Sequence, residues 1–244
     1  MKKILLIFAC LSIMTQMRAQ LNIQLHYDYG HLVDDLSNRP SMTSTIEYFG
    51  TDKWGSTYLF TDIDYYHDGV AGAYWEISRN INFSKKSPFA FHVEYNGGAN
   101  VNQLYEVGTR IQHAFLTGAV WSCANKDFTK TFSFQLLYKY YFKGANGAPA
   151  FNSFQTTAVW GMDFFDRKLT FSGFADLWYD NIIKNVVFIS EPQIWLNIYG
   201  FKGCEDIKLS VGGELELSNN FVYPKDGTNN RFFAIPTTAV KWTF

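Results

Sequence analysis

The chain has 244 residues, and its 21 basic and 22 acidic side chains give a formal net charge of −1. This balance excludes the basic footprint of a nucleic-acid-binding protein, so we expect no nucleic acid partner. Aromatic residues make up 18% of the chain, which is enough to supply the two aromatic girdles of a membrane β-barrel.

The first 19 residues predict a secretory signal peptide. Lys2 and Lys3 form its basic start, residues 4–14 are apolar, and Ala19 is a small residue at the expected cleavage site. Removal of residues 1–19 takes away three basic side chains and leaves 18 basic against 22 acidic ones, a net charge of −4. We therefore predict two parts, a signal peptide over residues 1–19 and a single domain over residues 20–244.

Beyond residue 19, the chain alternates between apolar and polar side chains. No later apolar run reaches the roughly 18 residues that a membrane helix needs, so any membrane span has to be built from strands. Residues 21–29 alternate most clearly, with Leu21, Ile23 and Leu25 opposite Asn22 and Gln24. Similar alternation predicts eleven further strands near residues 42–49, 57–65, 70–79, 89–96, 107–121, 131–142, 153–160, 169–179, 187–199, 207–217 and 232–244.

Three details of this pattern stay open or carry a specific expectation. Residues 114–119 are small and apolar on both faces, so the register of the sixth strand is undetermined. Pro192 cannot donate to a β-ladder and predicts a bulge in the tenth strand. Cys123 and Cys204 are predicted in two different turns, and whether they form a disulfide is open.

The polar faces of the predicted strands carry most of the charged side chains. A basic side chain facing lipid costs about 2–4 kcal/mol at the membrane midplane, and an acidic one costs somewhat less. These residues must therefore face water, as in the lumen of a transmembrane barrel. A secreted β-sandwich or soluble ligand-binding barrel shares the same alternation and remains the alternative. The predicted lumen residues are His26, Asp28, Glu47, Asp62, Asp64, Glu76, His92, Glu94, Lys139, Asp176, Glu191, Glu214, Glu216 and Lys241.

The last strand has features of a barrel-closing strand. Trp242 and Phe244 share one face with Val240, and Lys241 lies on the opposite face. Such an ending resembles the signal that the outer-membrane assembly machinery recognises, and it suits lipid anchoring. An even number of strands places both termini on the periplasmic side. The fold predicted is thus a single antiparallel, all-β barrel of twelve strands in the outer membrane of a Gram-negative cell.

Several stretches resemble a known family. They are residues 25–30 (LHYDYG), 52–57 (DKWGST), 91–98 (FHVEYNGG), 190–193 (SEPQ), 214–221 (ELELSNNF) and the ending 241–244 (KWTF). Together they resemble a domain-of-unknown-function family of outer-membrane proteins related to the nucleoside-specific channel-forming protein Tsx. The resemblance implies a twelve-stranded barrel and passive uptake of nucleosides through an aromatic-lined pore. It implies outer-membrane lipid, the assembly machinery and a small solute as partners.

The aromatic side chains on the polar face are the candidate solute contacts. They can stack on planar bases, but they can equally serve only to fill a small barrel. We expect a monomer with no cofactor and no metal, although Asp62 and Asp64 are compatible with a calcium site. The alternatives are a non-conducting structural or ligand-binding barrel and, third, an outer-membrane lipid hydrolase. The candidate aromatics are Tyr58, Phe60, Tyr74, Tyr141, Phe174, Trp178 and Trp195.

Overall fold

A computed structural model describes residues 18–84, 87–102, 107–145, 147–222, 224, 226–228 and 230–244. Of the predicted signal peptide, residues 1–17 lie outside the described residues, and Arg18 and Ala19 begin the first strand. The signal peptide therefore stays a prediction.

Nearly all of the described chain is β-strand. Three short 3₁₀ turns interrupt it, at Gly30–Leu32, Asp34–Leu36 and Ile198–Gly200. The strands are β1 (Arg18–Asp28), β2 (Met42–Asp52), β3 (Gly55–Tyr66), β4 (Gly69–Asn82), β5 (Phe89–Asn102), β6 (Val107–Arg110), β7 (Ala114–Ala124), β8 (Lys130–Tyr141), β9 (Phe151–Phe164), β10 (Leu169–Asp180), β11 (Asn185–Ser190), β12 (Gln193–Asn197), β13 (Leu209–Asn219) and β14 (Phe232–Thr243).

The strands form one closed antiparallel barrel. The first and last strands pair, with Asn22 opposite Thr243 and Asp28 opposite Thr237, so neither is left as a free edge. Strands β6 and β7 both pair with β5, and β11 and β12 both pair with β10 and β13, so each pair forms one interrupted strand of the wall. The barrel therefore has twelve strands, which confirms the predicted fold and excludes a two-sheet sandwich.

The barrel wall is apolar outside and polar inside. On β1, Ile23 and Leu25 are each 42% exposed on the outer face, whereas Gln24 and His26 are 1% and 3% exposed on the inner face. Because side chains alternate between the faces of a strand, a shift by one residue would reverse every assignment. Apolar exposure on the outer face of a closed barrel is the arrangement that suits a lipid surround.

The predicted bulge at Pro192 is wrong. Ser172 pairs with Gln193 and Ala175 pairs with Ser190, and both pairs belong to the same register along β10. Pro192 lies between β11 and β12, and no extra residue is inserted there. Its missing N–H is tolerated here because the ladder resumes unchanged on either side.

The register does shift elsewhere, between Asp64 and Tyr65 on β3 and in the connection from β6 to β7. From Asn96 to Ala99, strand β5 advances three residues, while its partner runs back four residues from Ala114 to Arg110. The partner of β5 therefore has one extra residue at this point. Strand β7 itself has a single register against β5, which answers the question that the sequence left open. Leu116 and Val120 face the interior, where they are 0% and 1% exposed.

Two predicted boundaries are also corrected. Strand β5 continues through Gly97 and Gly98, where the sequence predicted a loop. Cys123 lies within β7, paired with Phe132, and not in a turn. Cys123 and Cys204 are both free thiols.

The two ends of the barrel differ in their connections. One end, which we call the terminal rim, carries the start of β1 at Arg18 and the end of β14 at Thr243. It also carries the connections at 53–54, 83–88, 125–129, 165–168 and 198–208. The opposite end, the loop rim, includes the longer connections 29–41 and 220–231. The first of these folds inward and is described below.

Candidate functional site in the barrel interior

The interior face is lined by the side chains that the polar alternation singled out. Their neighbours along each strand are on the outer surface of the barrel, as Ile23 and Leu25 are on β1. The structure places on this face His26, Asp28, Glu47, Asp62, Asp64, Glu76, His92, Glu94, Lys139, Asp176, Glu191, Glu214, Glu216 and Lys241. Any role of these residues in binding a solute stays a prediction.

The carboxylate of Glu47 is held by three donors from two neighbouring strands. Asn22 Nδ2 and Gln24 Nε2 on β1 each donate to its Oε2 over 2.9 Å. Tyr58 on β3 donates its hydroxyl to Oε1 over 3.1 Å. Three hydrogen bonds satisfy this half-buried carboxylate without an ion pair, so the network links β1, β2 and β3 around one acidic group.

On β12, Trp195 is enclosed by polar groups. Its indole N–H donates to Gln193 Oε1 over 3.0 Å, and Gln193 Nε2 donates to Glu214 over 3.0 Å. The ammonium of Lys241 lies 4.0 Å from the centroid of the Trp195 ring. A cation at this distance is attracted to the ring face, so that face is covered and Trp195 does not offer it to a solute.

Lys139 makes an equivalent arrangement on β8. Its ammonium donates to Gln155 Oε1 over 2.7 Å and lies 4.4 Å and 5.0 Å from the ring centroids of Trp178 and Tyr141. Tyr141 in turn stacks on Phe151, with centroids 4.4 Å apart. Two of the predicted aromatic contacts, Trp178 and Tyr141, are therefore engaged by other side chains.

A row of three aromatic side chains, with no lysine of the described residues against their rings, lies on β3 and β4. The ring centroids of Tyr58 and Phe60 are 6.1 Å apart, and those of Phe60 and Tyr74 are 5.9 Å apart. Tyr74 donates its hydroxyl to Glu76 Oε1 over 2.7 Å, so a carboxylate lies directly beside the row. Flat rings next to hydrogen-bond acceptors can hold a planar, hydroxylated solute. Phe174, on the opposite wall, completes the predicted set on the interior face.

Arg39 is a residue of the interior that strand alternation did not predict. It lies in the connection 29–41, and its Nε donates to Asp28 Oδ2 over 2.7 Å while Nη2 pairs with Glu216. Lys208, by contrast, precedes β13 and is not part of the interior face. It is exposed and donates to the Glu205 carbonyl.

The closing strand ends on the outer surface. Trp242 and Phe244 are 44% and 67% exposed, and the Phe244 N–H donates to the Leu21 carbonyl over 2.9 Å. Each of the five connections at the terminal rim also carries an exposed aromatic side chain, as membrane-interface girdles do. These are Trp54, Phe83, Phe128, Phe165 and Phe201.

Two further properties concern the described residues alone. They contain no group of three or more His, Cys, Asp or Glu side chains arranged to hold a metal ion. None of the helices in the described part of the chain is long and apolar enough to cross a membrane.

Comparison with sequence families identifies the chain. A family model described as a domain of unknown function (DUF5020) matches residues 19–244. The chain belongs to this family. A search of the curated proteins found no match for this DUF5020 protein.

Solved structures share its fold. The NanC porin superposes with a TM-score of 0.55 at 9% sequence identity, over 91% of this chain and 98% of that one. The KdgM porin gives a TM-score of 0.48 at 10% identity, over 92% and 99%. LpxR from Salmonella typhimurium gives 0.45 at 9% identity, over 92% and 100%. The likeness to NanC shows that this DUF5020 protein has the fold of an outer-membrane porin.

Proposed function

We propose that this DUF5020 protein is an outer-membrane channel for the passive diffusion of nucleosides or similar small polar solutes. The observation that carries the proposal is the distribution of polarity across the closed wall, as in β1, where Gln24 and His26 are buried inside and Ile23 and Leu25 are exposed outside. An apolar exterior suits lipid, and a polar interior suits a path for polar solutes. The shared fold with the NanC porin supports the same class of function.

Export and membrane insertion follow from the two ends of the chain. Residues 1–19 act as the signal peptide, the assembly machinery recognises the closing strand with Trp242 and Phe244, and residues 20–244 insert as a monomer. Both termini then lie in the periplasm. The exposed aromatic residues of the terminal rim support a position at one membrane interface.

Three features favour nucleosides as the solute class. The row formed by Tyr58, Phe60 and Tyr74 can stack on a base, an interaction worth about 1–3 kcal/mol per base. The neighbouring carboxylates, such as Glu76, can accept hydrogen bonds from ribose hydroxyls. The sequence resemblance to relatives of Tsx points to the same solutes.

Interior charge sets which solutes are rejected. Of the interior residues named above, ten are acidic and three are basic, namely Arg39, Lys139 and Lys241. Charges in a narrow pore are screened less than those on a surface, so a net negative lumen repels phosphate groups. Neutral nucleosides should therefore pass, and nucleotides should not.

Uptake into liposomes tests the proposal. Protein-containing vesicles should take up labelled uridine or adenosine faster than the corresponding monophosphates. Tyr74→Leu should slow nucleoside uptake, while Phe154→Leu, an outward-facing residue that is 74% exposed, should leave it unchanged. Absence of uptake by folded protein would reject the channel, and uptake of nucleotides at the same rate would reject the charge selection.

One observation favours a non-conducting barrel as the second candidate. The connection 29–41 folds over the loop rim, with Leu36 only 2% exposed, so the mouth is narrowed by the protein's own chain. In a barrel closed by this segment, the outer loops would serve as a binding surface. The uptake experiment decides between the two candidates.

A further inference from the structure

The connection between β1 and β2 is folded into the mouth of the barrel. Its two 3₁₀ turns, Gly30–Leu32 and Asp34–Leu36, bring Leu36 against Phe233 and Ile235 on the interior face of β14. All three side chains are buried, at 2%, 8% and 2% exposed. This apolar contact attaches the connection, which follows β1, to strand β14.

An ion-pair cluster fixes the same segment a few residues later. The guanidinium of Arg39 joins Asp28 on β1, over 2.7 Å, to Glu216 on β13. Both carboxylates are nearly buried, with side chains 8% and 6% exposed. Removing the Arg39 guanidinium would leave two buried carboxylates without a positive partner, which is strongly unfavourable. With Arg39 in place, the charge-assisted hydrogen bonds to both carboxylates fix the geometry of the cluster.

The segment is also constrained at its start, at Gly30, and on its solvent-facing side, at Asp35. At Gly30, an added Cβ atom would lie 2.8 Å from both Asp28 Oδ1 and Ile235 Cγ2, so only glycine allows this close approach. Outside the mouth, Arg231 Nη2 pairs with Asp35 Oδ2 over 2.6 Å, which connects the segment to the connection 220–231. The segment is thus attached at several independent points.

We propose that residues 29–41 form the size and charge filter of the loop rim, and that Arg39 is its specificity-determining residue. The segment narrows the opening, and its guanidinium is the positive group among Asp28, Asp64 and Glu216, which otherwise make this mouth acidic. The filter admits small neutral solutes, excludes larger ones and reduces the preference for cations. This inference rests on the proposed channel function.

Conductance and ion selectivity in planar bilayers separate the size effect from the charge effect. Leu36→Ala weakens the apolar anchor without changing charge, so conductance should rise at least about twofold while the reversal potential stays the same. Arg39→Gln should raise conductance similarly and shift the reversal potential towards cations. Arg39→Lys keeps the charge but not the two-carboxylate geometry, so it should raise conductance with little shift.

Thiol labelling of the folded protein reports on the segment itself. With Cys123 and Cys204 replaced by serine, a cysteine introduced by Leu36→Cys should react slowly with a membrane-impermeant maleimide. Adding Arg39→Gln should speed this reaction at least about tenfold, since a buried thiol becomes accessible when the segment is released. Leu32→Cys, at a position already 68% exposed, is the control and should react at one rate in both backgrounds.

The outcomes distinguish failure of the filter from failure of the channel. If the wild type conducts, the filter is rejected and the channel stands when Arg39→Gln and Leu36→Ala both leave conductance unchanged and Arg39→Gln leaves the labelling rate of Leu36→Cys unchanged. If the wild type is silent and Arg39→Gln conducts, residues 29–41 close the pore completely, so the filter is rejected in favour of the non-conducting barrel. If no folded variant conducts, both proposals are rejected.

Discussion

Lys241 on β14 holds its ammonium 4.0 Å from the ring centroid of Trp195 on β12, across the intervening strand β13. The indole is fully buried, and its N–H is used by Gln193. A partly desolvated cation–π contact of this kind is worth about 0.5–2 kcal/mol. One interior lysine thus covers an aromatic face that a base would otherwise contact, and it also supplies one of the few positive charges of the lumen.

Replacing Lys241 by alanine, which removes both the charge and the side chain that covers the ring, should change both properties. The freed Trp195 face should strengthen block of the pore current by a nucleoside at least about fivefold, in line with the stacking energy of one base. Loss of a positive charge should move the reversal potential towards cations. Lys208→Ala, at an exposed residue outside the lumen, is the matched control, and an equal response of the two variants would contradict the role given to Lys241.

Glu47 should contribute to the stability of the barrel wall. Glu47→Leu leaves the donors of Asn22, Gln24 and Tyr58 without their shared acceptor. One such loss costs about 1–3 kcal/mol, so the urea midpoint of unfolding in lipid vesicles should fall. Glu47→Gln keeps one acceptor oxygen and should fall between the leucine variant and the wild type. An unchanged midpoint for Glu47→Leu would show that the network adds no stability.

The outer face of β8 tests the membrane orientation. Leu136→Lys places a charge on a side chain that is 58% exposed in mid-strand, where the cost should be about 2–4 kcal/mol if that face meets lipid. Leu32→Lys makes the same change at a 68% exposed residue of the loop rim. Heat-modifiable migration in gels should therefore show a reduced folded fraction for the first variant and not for the second. Equal folding of both would mean that the outer face does not lie in lipid.

Phe244 should matter for assembly beyond its contribution of apolar surface. Its N–H extends the closing ladder to Leu21, and its side chain ends the strand that the assembly machinery is expected to recognise. Deleting Phe244 should lower the amount of folded protein in the outer membrane severalfold. Phe128→Ala, at an exposed aromatic of the same rim, should reduce it much less. Equal levels of the two variants would remove the special role of the terminal residue.

The strands and their two faces could be predicted from the sequence because successive side chains of a strand point to opposite faces. A residue such as Glu216 is assigned to the interior once its neighbours Leu215 and Leu217 are seen to be apolar. The same rule gave no answer for Leu116, since residues 114–119 are small and apolar on both faces. There the register depends on the extra residue between β6 and β7, which is a tertiary property.

The structure of the loop rim could not be predicted from the alternation of side chains. Arg39 sits in a polar connection with no alternation, and only the folded barrel brings it to Asp28 and Glu216, which are 11 and 177 residues away in the chain. Likewise, that Trp178 and Trp195 are covered by lysines depends on side chains from non-adjacent strands. Composition predicted an aromatic lumen, but not which rings are covered by lysines.

The central claim is that the polar interior conducts small solutes, and single-channel recording of the purified protein in planar bilayers tests it most directly. The account predicts a small, cation-leaning conductance that added uridine or adenosine partly blocks and that the corresponding monophosphates do not. A correctly folded protein that gives no conductance, including when Arg39→Gln releases the mouth, would contradict it.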